Sequence, residues 1–212
     1  MYNLKLNPAK CTFGVPAGKL LGFIVSRQGI ELDPSKVKAI QDLPPPKSKK
    51  DVRKFLGRLN YISHFIAQST MICELIFKML KKDAATSWTE ECQKAFDIIK
   101  EYLFTPPVLV PPKLGRPLLL YLSVLEGAFS CVLGQHDKTG RKEQTIYYLS
   151  KKFTPYEAQY FLLERTSCVL TWIAHKLRHY FYAYTTYLIS RMDLRQLENV
   201  LRWGYKFQRS GY

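Results

Sequence analysis

Pro117-Leu118-Leu119-Leu120-Tyr121-Leu122-Ser123-Val124, Ala128-Phe129-Ser130-Cys131-Val132-Leu133-Gly134-Gln135 and Gln144-Thr145-Ile146-Tyr147-Tyr148-Leu149 are three strand-like runs in close succession. His136-Asp137-Lys138-Thr139-Gly140 supplies the turn between the second and third, so a three-stranded meander is expected. Thr154-Pro155-Tyr156-Glu157 then reads as a capping start for a long helix reaching about Tyr182, and Tyr187 to Ser190 as a fourth strand. Three strands, a long helix and another strand make an α+β order.

Upstream, Lys19-Leu20-Leu21-Gly22-Phe23-Ile24-Val25-Ser26, Arg27-Gln28-Gly29 and Ile30-Glu31-Leu32 read as a β-hairpin. Asp33 before Pro34 predicts a capped short helix over Ser35 to Gln41, stopped by Pro44-Pro45-Pro46. Ser48 with Asp51 opens a second helix whose apolar positions Val52, Phe55, Leu56, Leu59, Ile62 and Phe65 keep helical spacing and so bury one face. A third helix is expected through Met71, Ile72, Leu75, Ile76, Met79 and Leu80. Lys81 to Ser87 is polar and reads as a linker, and Ser87-Trp88-Thr89-Glu90 as a capping box for a helix to about Leu103. The prolines of Thr105-Pro106-Pro107 and Pro111-Pro112 force an extended crossing into the strands.

A hydrophobic content of 47% with 14% aromatic residues predicts a packed globular protein rather than a disordered chain. The net charge is +15, with 15 Lys and Arg against 6 Asp and Glu up to Asp83 and 17 against 11 beyond it. Such an excess favours a polyanionic partner, nucleic acid before membrane. Five widely spaced cysteines, Cys11, Cys73, Cys92, Cys131 and Cys168, form no disulfide framework or zinc knuckle. With no leader-like segment and no apolar run long enough to cross a bilayer, an intracellular setting, cytoplasmic or nuclear, is expected rather than secretion.

Several strings in order carry a family resemblance. Asn3 to Pro8, Lys10-Cys11-Thr12-Phe13, Leu21 to Ser26, Gly29-Ile30, Pro34, Lys36 to Ile40, and Phe55-Leu56-Gly57 with Leu59-Asn60-Tyr61 resemble the end of the palm and the thumb of gypsy-class long-terminal-repeat retrotransposon reverse transcriptases. Trp88-Thr89, Ala95-Phe96, Leu120-Tyr121, Val132 to Gln135, Tyr148-Leu149-Ser150 and Leu177 to Tyr180 continue the likeness into the RNase H-like module. The division implied is an end-of-palm and primer-grip hairpin over 1–34, a helical thumb over 35–83, an RNase H-like connection domain over 84–198 and a divergent tail over 199–212. Met1 falls inside what resembles continuous polymerase sequence, so a truncated Pol polyprotein is expected.

Arg53, Gly57 and Tyr61 recur every four residues, about 6 Å apart along one helix face. A glycine between a basic and an aromatic residue permits close approach to a groove. The matching positions of related polymerases contact the minor groove of the primer-template, so the resemblance implies duplex contact there. Lys50 and Lys54, with Lys47 and Lys49, add phosphate-binding charge at the start of the same helix. Gly22 and Phe23 resemble the primer grip, the hairpin that positions the primer end.

RNase H chemistry requires carboxylates that converge on Mg²⁺. By resemblance, the first should stand at Ser123, another at Thr166, and a Thr-Asp pair at Ser190-Arg191. Glu126, Glu164 and Asp193 lie nearby but out of phase, since Glu126 is three residues from Ser123 and Glu164 about 200° around a helix from Thr166. No catalytic and no metal-binding residue is therefore assigned, and Mg²⁺ is expected only if these shifted carboxylates serve an active nuclease. No Tyr-x-Asp-Asp polymerase element occurs. The expectation is a fragment that binds RNA–DNA hybrid or duplex, with other parts of the polyprotein as further partners and no membrane. The alternative is a Mg²⁺-dependent RNase H that cuts the RNA strand of hybrids. His64, His136, His175 and His179 supply no ligand spacing with carboxylates; His175 and His179, four apart, read as a solvated basic face.

Overall fold

The computed structural model describes Asn7, residues 13–80 and 88–190, and the backbone of Phe207–Arg209. Strands β1 (Ala17–Leu20), β2 (Phe23–Ser26) and β3 (Ile30–Leu32) form an antiparallel sheet in sequence order. The run Lys19 to Ser26 is thus two strands and not one, because Leu21 and Gly22 both take positive φ (50° and 76°) and reverse the chain between Leu20 and Phe23. Glycine tolerates that region freely and leucine does not, so the turn must be held from outside.

Helix α1 (Pro34–Gln41) starts where Asp33 accepts the Ser35 N–H at 3.0 Å. Helix α2 (Lys49–Ile62) has the reciprocal capping box expected of Ser48 and Asp51, with Ser48 N–H donating to the Asp51 carboxylate at 3.1 Å and Asp51 N–H to Ser48 Oγ at 3.2 Å. Such a cap contributes about 1 kcal/mol. Its predicted stripe is buried: Val52, Phe55, Leu56, Leu59 and Ile62 all face inward. The third helix divides into α3 (Ser69–Ile72) and α4 (Glu74–Lys78), parted at Cys73, whose ψ near 5° leaves the helical region. Helix α5 (Glu90–Tyr102) begins two residues later than a Ser87 cap would place it, because Thr89 accepts the Cys92 N–H at 3.3 Å.

The second sheet contains β4 (Leu118–Val124), β5 (Ala128–His136), β6 (Glu143–Lys152), β7 (Thr186–Ser190) and β8 (Phe207–Arg209) in the order β6-β5-β4-β7-β8. The meander is antiparallel, while β7 runs parallel to both β4 and β8. Between β6 and β7 the single long helix expected is three pieces: a 3₁₀ turn (Glu157–Gln159), α6 (Leu162–Lys176) and α7 (Arg178–Ala183). Thr154 and Glu157 do cap reciprocally, at 2.7 and 3.2 Å, but they cap the 3₁₀ turn.

Two apolar clusters result. The first gathers α1 to α4 with Phe96, Ile99, Leu103 and Leu109, so α5 and its extension pack on the near side of the boundary drawn at residues 83 and 84. Phe55 and Phe96 meet at 4.9 Å between ring centroids across that boundary. The second cluster packs Leu118, Leu120 and Leu122 with Leu133 and Cys131 beneath Val169, Leu170 and Ile173 of α6. The two sheets are tied by the Ile30–Leu109 bridge, with hydrogen bonds of 2.8 and 2.9 Å, and by Val110 N–H donating to the Thr145 carbonyl at 2.9 Å.

Candidate nucleic-acid interface

Val37 and Ile40 of α1 bury in one apolar cluster with Val52, Phe55, Leu56, Leu59 and Ile62 of α2, and a cleft lies between the two helices. The cleft has a volume of about 460 Å³ and is lined by Lys36, Ala39, Ile40, Arg53, Lys54, Gly57, Arg58, Tyr61 and Ile62. Four cations therefore share one opening with no carboxylate in its lining. Arg53, Gly57 and Tyr61 line it together, as their four-residue spacing implies, and nothing lies within 4 Å of where a Gly57 side chain would begin, so that position is open to a close-approaching ligand. Lys54 joins them; Lys50 is exposed one turn earlier, outside the cleft lining. Lys36 and Arg58 were not singled out from the sequence. Arg58 follows Lys54 by four residues, but its bond to the Ala39 carbonyl, which places it over α1, depends on how two helices pack.

Tyr61 does more than face the cleft. Its hydroxyl donates to the Leu21 carbonyl, its ring stacks on Phe23 at 5.1 Å with parallel planes, and the Lys36 ammonium lies 5.8 Å from its ring centroid. Phe23 also meets Phe65 at 5.5 Å, so its ring is packed between two others. A side chain on Gly22 would collide with the Tyr61 hydroxyl. The contact from Tyr61 is what holds the left-handed Leu21–Gly22 turn, and it joins the hairpin to α2. At the hairpin base, Lys19 pairs with Asp33 at 3.1 Å, and the Ser35 N–H, ahead of that lysine, holds the Asp33 carboxyl below the usual carboxylate range.

At the second sheet, Ser123 pairs with Ser130 and Ser130 with Ser150. Ser150 Oγ accepts the Thr70 N–H at 3.2 Å, so this row of hydroxyls lies under α3. Strand alternation puts Leu122 on the other face, against α6. Thr166 is on α6, 1% exposed, donating to the Leu162 carbonyl at 2.7 Å. Ser123 and Thr166 thus belong to opposite faces of the sheet. Ser190 aligns with Leu122 and shares with Ser123 a cavity of about 330 Å³, lined also by Tyr121, Ser130 and Gln68, without a carboxylate.

Glu126 lies in the turn after β4, and Glu164 spends an oxygen on the Phe161 N–H at 3.0 Å. Arg191 and Asp193 lie outside the described residues. Among the described residues no group of three or more His, Cys, Asp or Glu could hold a metal ion. The residues around Ser123 offer neutral hydroxyls, which do not fit Mg²⁺, a hard cation that favours carboxylate oxygens. His175 and His179 fall on separate helices, since α6 ends at Lys176. Cys73 and Cys131, both pushed up to about 12 by burial, stay protonated and supply no thiolate. No described helix is long and apolar enough to cross a membrane.

Residues 88–188 match the family described as RNase H-like domain found in reverse transcriptase. The retrovirus-related Pol polyprotein from transposon 412 of Drosophila melanogaster is 30% identical over 181 residues, 85% of this chain but 14% of that polyprotein. The transposon Tf2-3 polyprotein of Schizosaccharomyces pombe is 29% identical over 179 residues, 84% of this chain and 13% of its own length. Among solved structures, the foamy viral protease-reverse transcriptase in complex with dsDNA superposes with a TM-score of 0.67 at 19% identity, over 86% of this chain and 38% of that one. The same protein in complex with RNA/DNA hybrid gives 0.67 at 19% identity, over 91% and 26%. At that identity the likeness establishes the fold.

Proposed function

We propose, from the premise that residues 88–188 are an RNase H-like domain of the reverse-transcriptase kind in a chain homologous to transposon Pol polyproteins, that this chain binds RNA–DNA hybrid or duplex without cutting it. In this reading, 1–34 and 35–83 serve as the primer-grip hairpin and thumb of a gypsy-class polymerase. Residues 84–198 are a connection module that has given up its metal carboxylates. The chain works inside the cell beside other parts of the polyprotein.

The observation that carries the reading is the convergence of Lys36, Arg53, Lys54 and Arg58 on one cleft with no carboxylate in its lining. Phosphates are the ligand such a cleft selects, because each cation that neutralises one releases bound counterions. A helix face with an open glycine beside Arg53 suits a groove edge. That the foamy viral structures hold dsDNA and RNA/DNA hybrid supports the same class of partner. Ser123 and Thr166, on opposite sheet faces, support a role in scaffolding rather than hydrolysis.

Incubation with a labelled RNA–DNA hybrid and Mg²⁺ tests the second half of the proposal. The hybrid should remain intact under conditions in which it is bound. Mg²⁺-dependent cleavage that disappears in Glu126→Ala and Glu164→Ala would overturn the reading in favour of a nuclease with displaced ligands.

A further inference from the structure

We propose that the surface where β4 ends and α6 begins is a platform for single-stranded nucleic acid, a second site distinct from the α1–α2 cleft. It rests on the nucleic-acid reading above but uses other residues. Phe161 is 81% exposed, Leu162 beside it 48% and Leu125 50%, with Tyr156 78% exposed five residues before Phe161. Arg165 follows Phe161 by one helical turn, its N–H donating to the Phe161 carbonyl at 2.9 Å, so the two side chains share a face. Arg165 Nη1 donates to the carbonyls of Leu125 at 3.2 Å and Glu126 at 3.0 Å. Two such bonds fix the guanidinium beside the exposed apolar groups. Its Nε is buried without a partner.

Of the three acidic neighbours two are engaged, and the third, Glu126, is exposed in the turn that Arg165 holds. Glu164 caps the Phe161 N–H, and Glu157 accepts from the Thr154 N–H at 2.7 Å and from Lys151 at 3.4 Å. An immobilised guanidinium beside free aromatic faces is the chemistry that recognises unpaired nucleotides: the rings stack on bases and the cation takes the phosphate. A duplex would leave the rings unused, since its bases already stack on one another. The long positive balance of the chain, +15, favours this occupant over an apolar protein surface.

Anisotropy titrations of the full chain against a blunt RNA–DNA hybrid, and against the same hybrid carrying an unpaired oligothymidine extension of about ten nucleotides, separate the possibilities. The extension should tighten binding about tenfold. Phe161→Ala, at an exposed position that folding does not need, should remove that gain and leave blunt affinity unchanged, with Phe161→Trp restoring it. Arg165→Ala should remove it as well. An extension that adds nothing, or a gain that survives Phe161→Ala, would overturn the platform while blunt binding persists. Failure to bind either duplex would overturn the nucleic-acid reading and the platform together.

Discussion

Tyr61 carries two duties that its spacing in the sequence expresses only in part. The four-residue interval with Arg53 and Gly57 places it on the cleft, and it does line the cleft. Its bond to Leu21 and its stack on Phe23 bind the hairpin to α2, a link across 40 residues that no local pattern signals. Tyr61→Phe, which keeps the ring, should cost about 1 kcal/mol in urea unfolding. Gly22→Ala combines a left-handed backbone with a collision at the Tyr61 hydroxyl and should cost about 1–3 kcal/mol. The double variant should lose less than the sum, because removing the hydroxyl relieves the collision. Additive losses would separate the two residues. The turn at Leu21 was illegible because leucine rarely takes positive φ, so the apolar run from Leu20 to Val25 reads as one strand.

Elements whose ends are marked by their own residues were legible, and elements broken from outside were not. Helices α1 and α2 start where Asp33 and Ser48 place them, since an N-cap acts within three residues. The apolar stripe of α2 buries as its period requires. By contrast, apolar spacing runs on through Cys73 and Leu177 while the helices break there, so period alone joined pieces that packing separates. Phe55 illustrates what the stripe holds. It is 1% exposed and meets Phe96 of α5, so it fastens α2 to an element that sequence grouping had assigned to the following module. Phe55→Ala should destabilise the chain by about 3–5 kcal/mol and release α5 as well as α2. Thermal unfolding followed by far-ultraviolet circular dichroism measures the loss; a change under 1 kcal/mol would mean α5 is not anchored there.

Across the whole molecule, basic charge and packing are divided in a way composition hinted at and topology completed. The excess of lysine and arginine is denser before Asp83, and there the cleft gathers four cations from two helices. The second sheet presents hydroxyls at Ser123, Ser130 and Ser190 around one cavity, and at Ser123 the family resemblance leads one to expect an acid. That substitution could be read from residue identities, but the placing of Ser123 and Thr166 on opposite faces required the sheet. The most direct measurement of the account is the salt dependence of binding to a blunt RNA–DNA hybrid, for the natural chain and for a variant with Arg53→Ala and Lys54→Ala. The cleft predicts a steep linear fall of log affinity with log salt, and a slope shallower by about two in the variant. A natural chain whose binding is weak and indifferent to salt, or a variant with the unaltered slope, would contradict it.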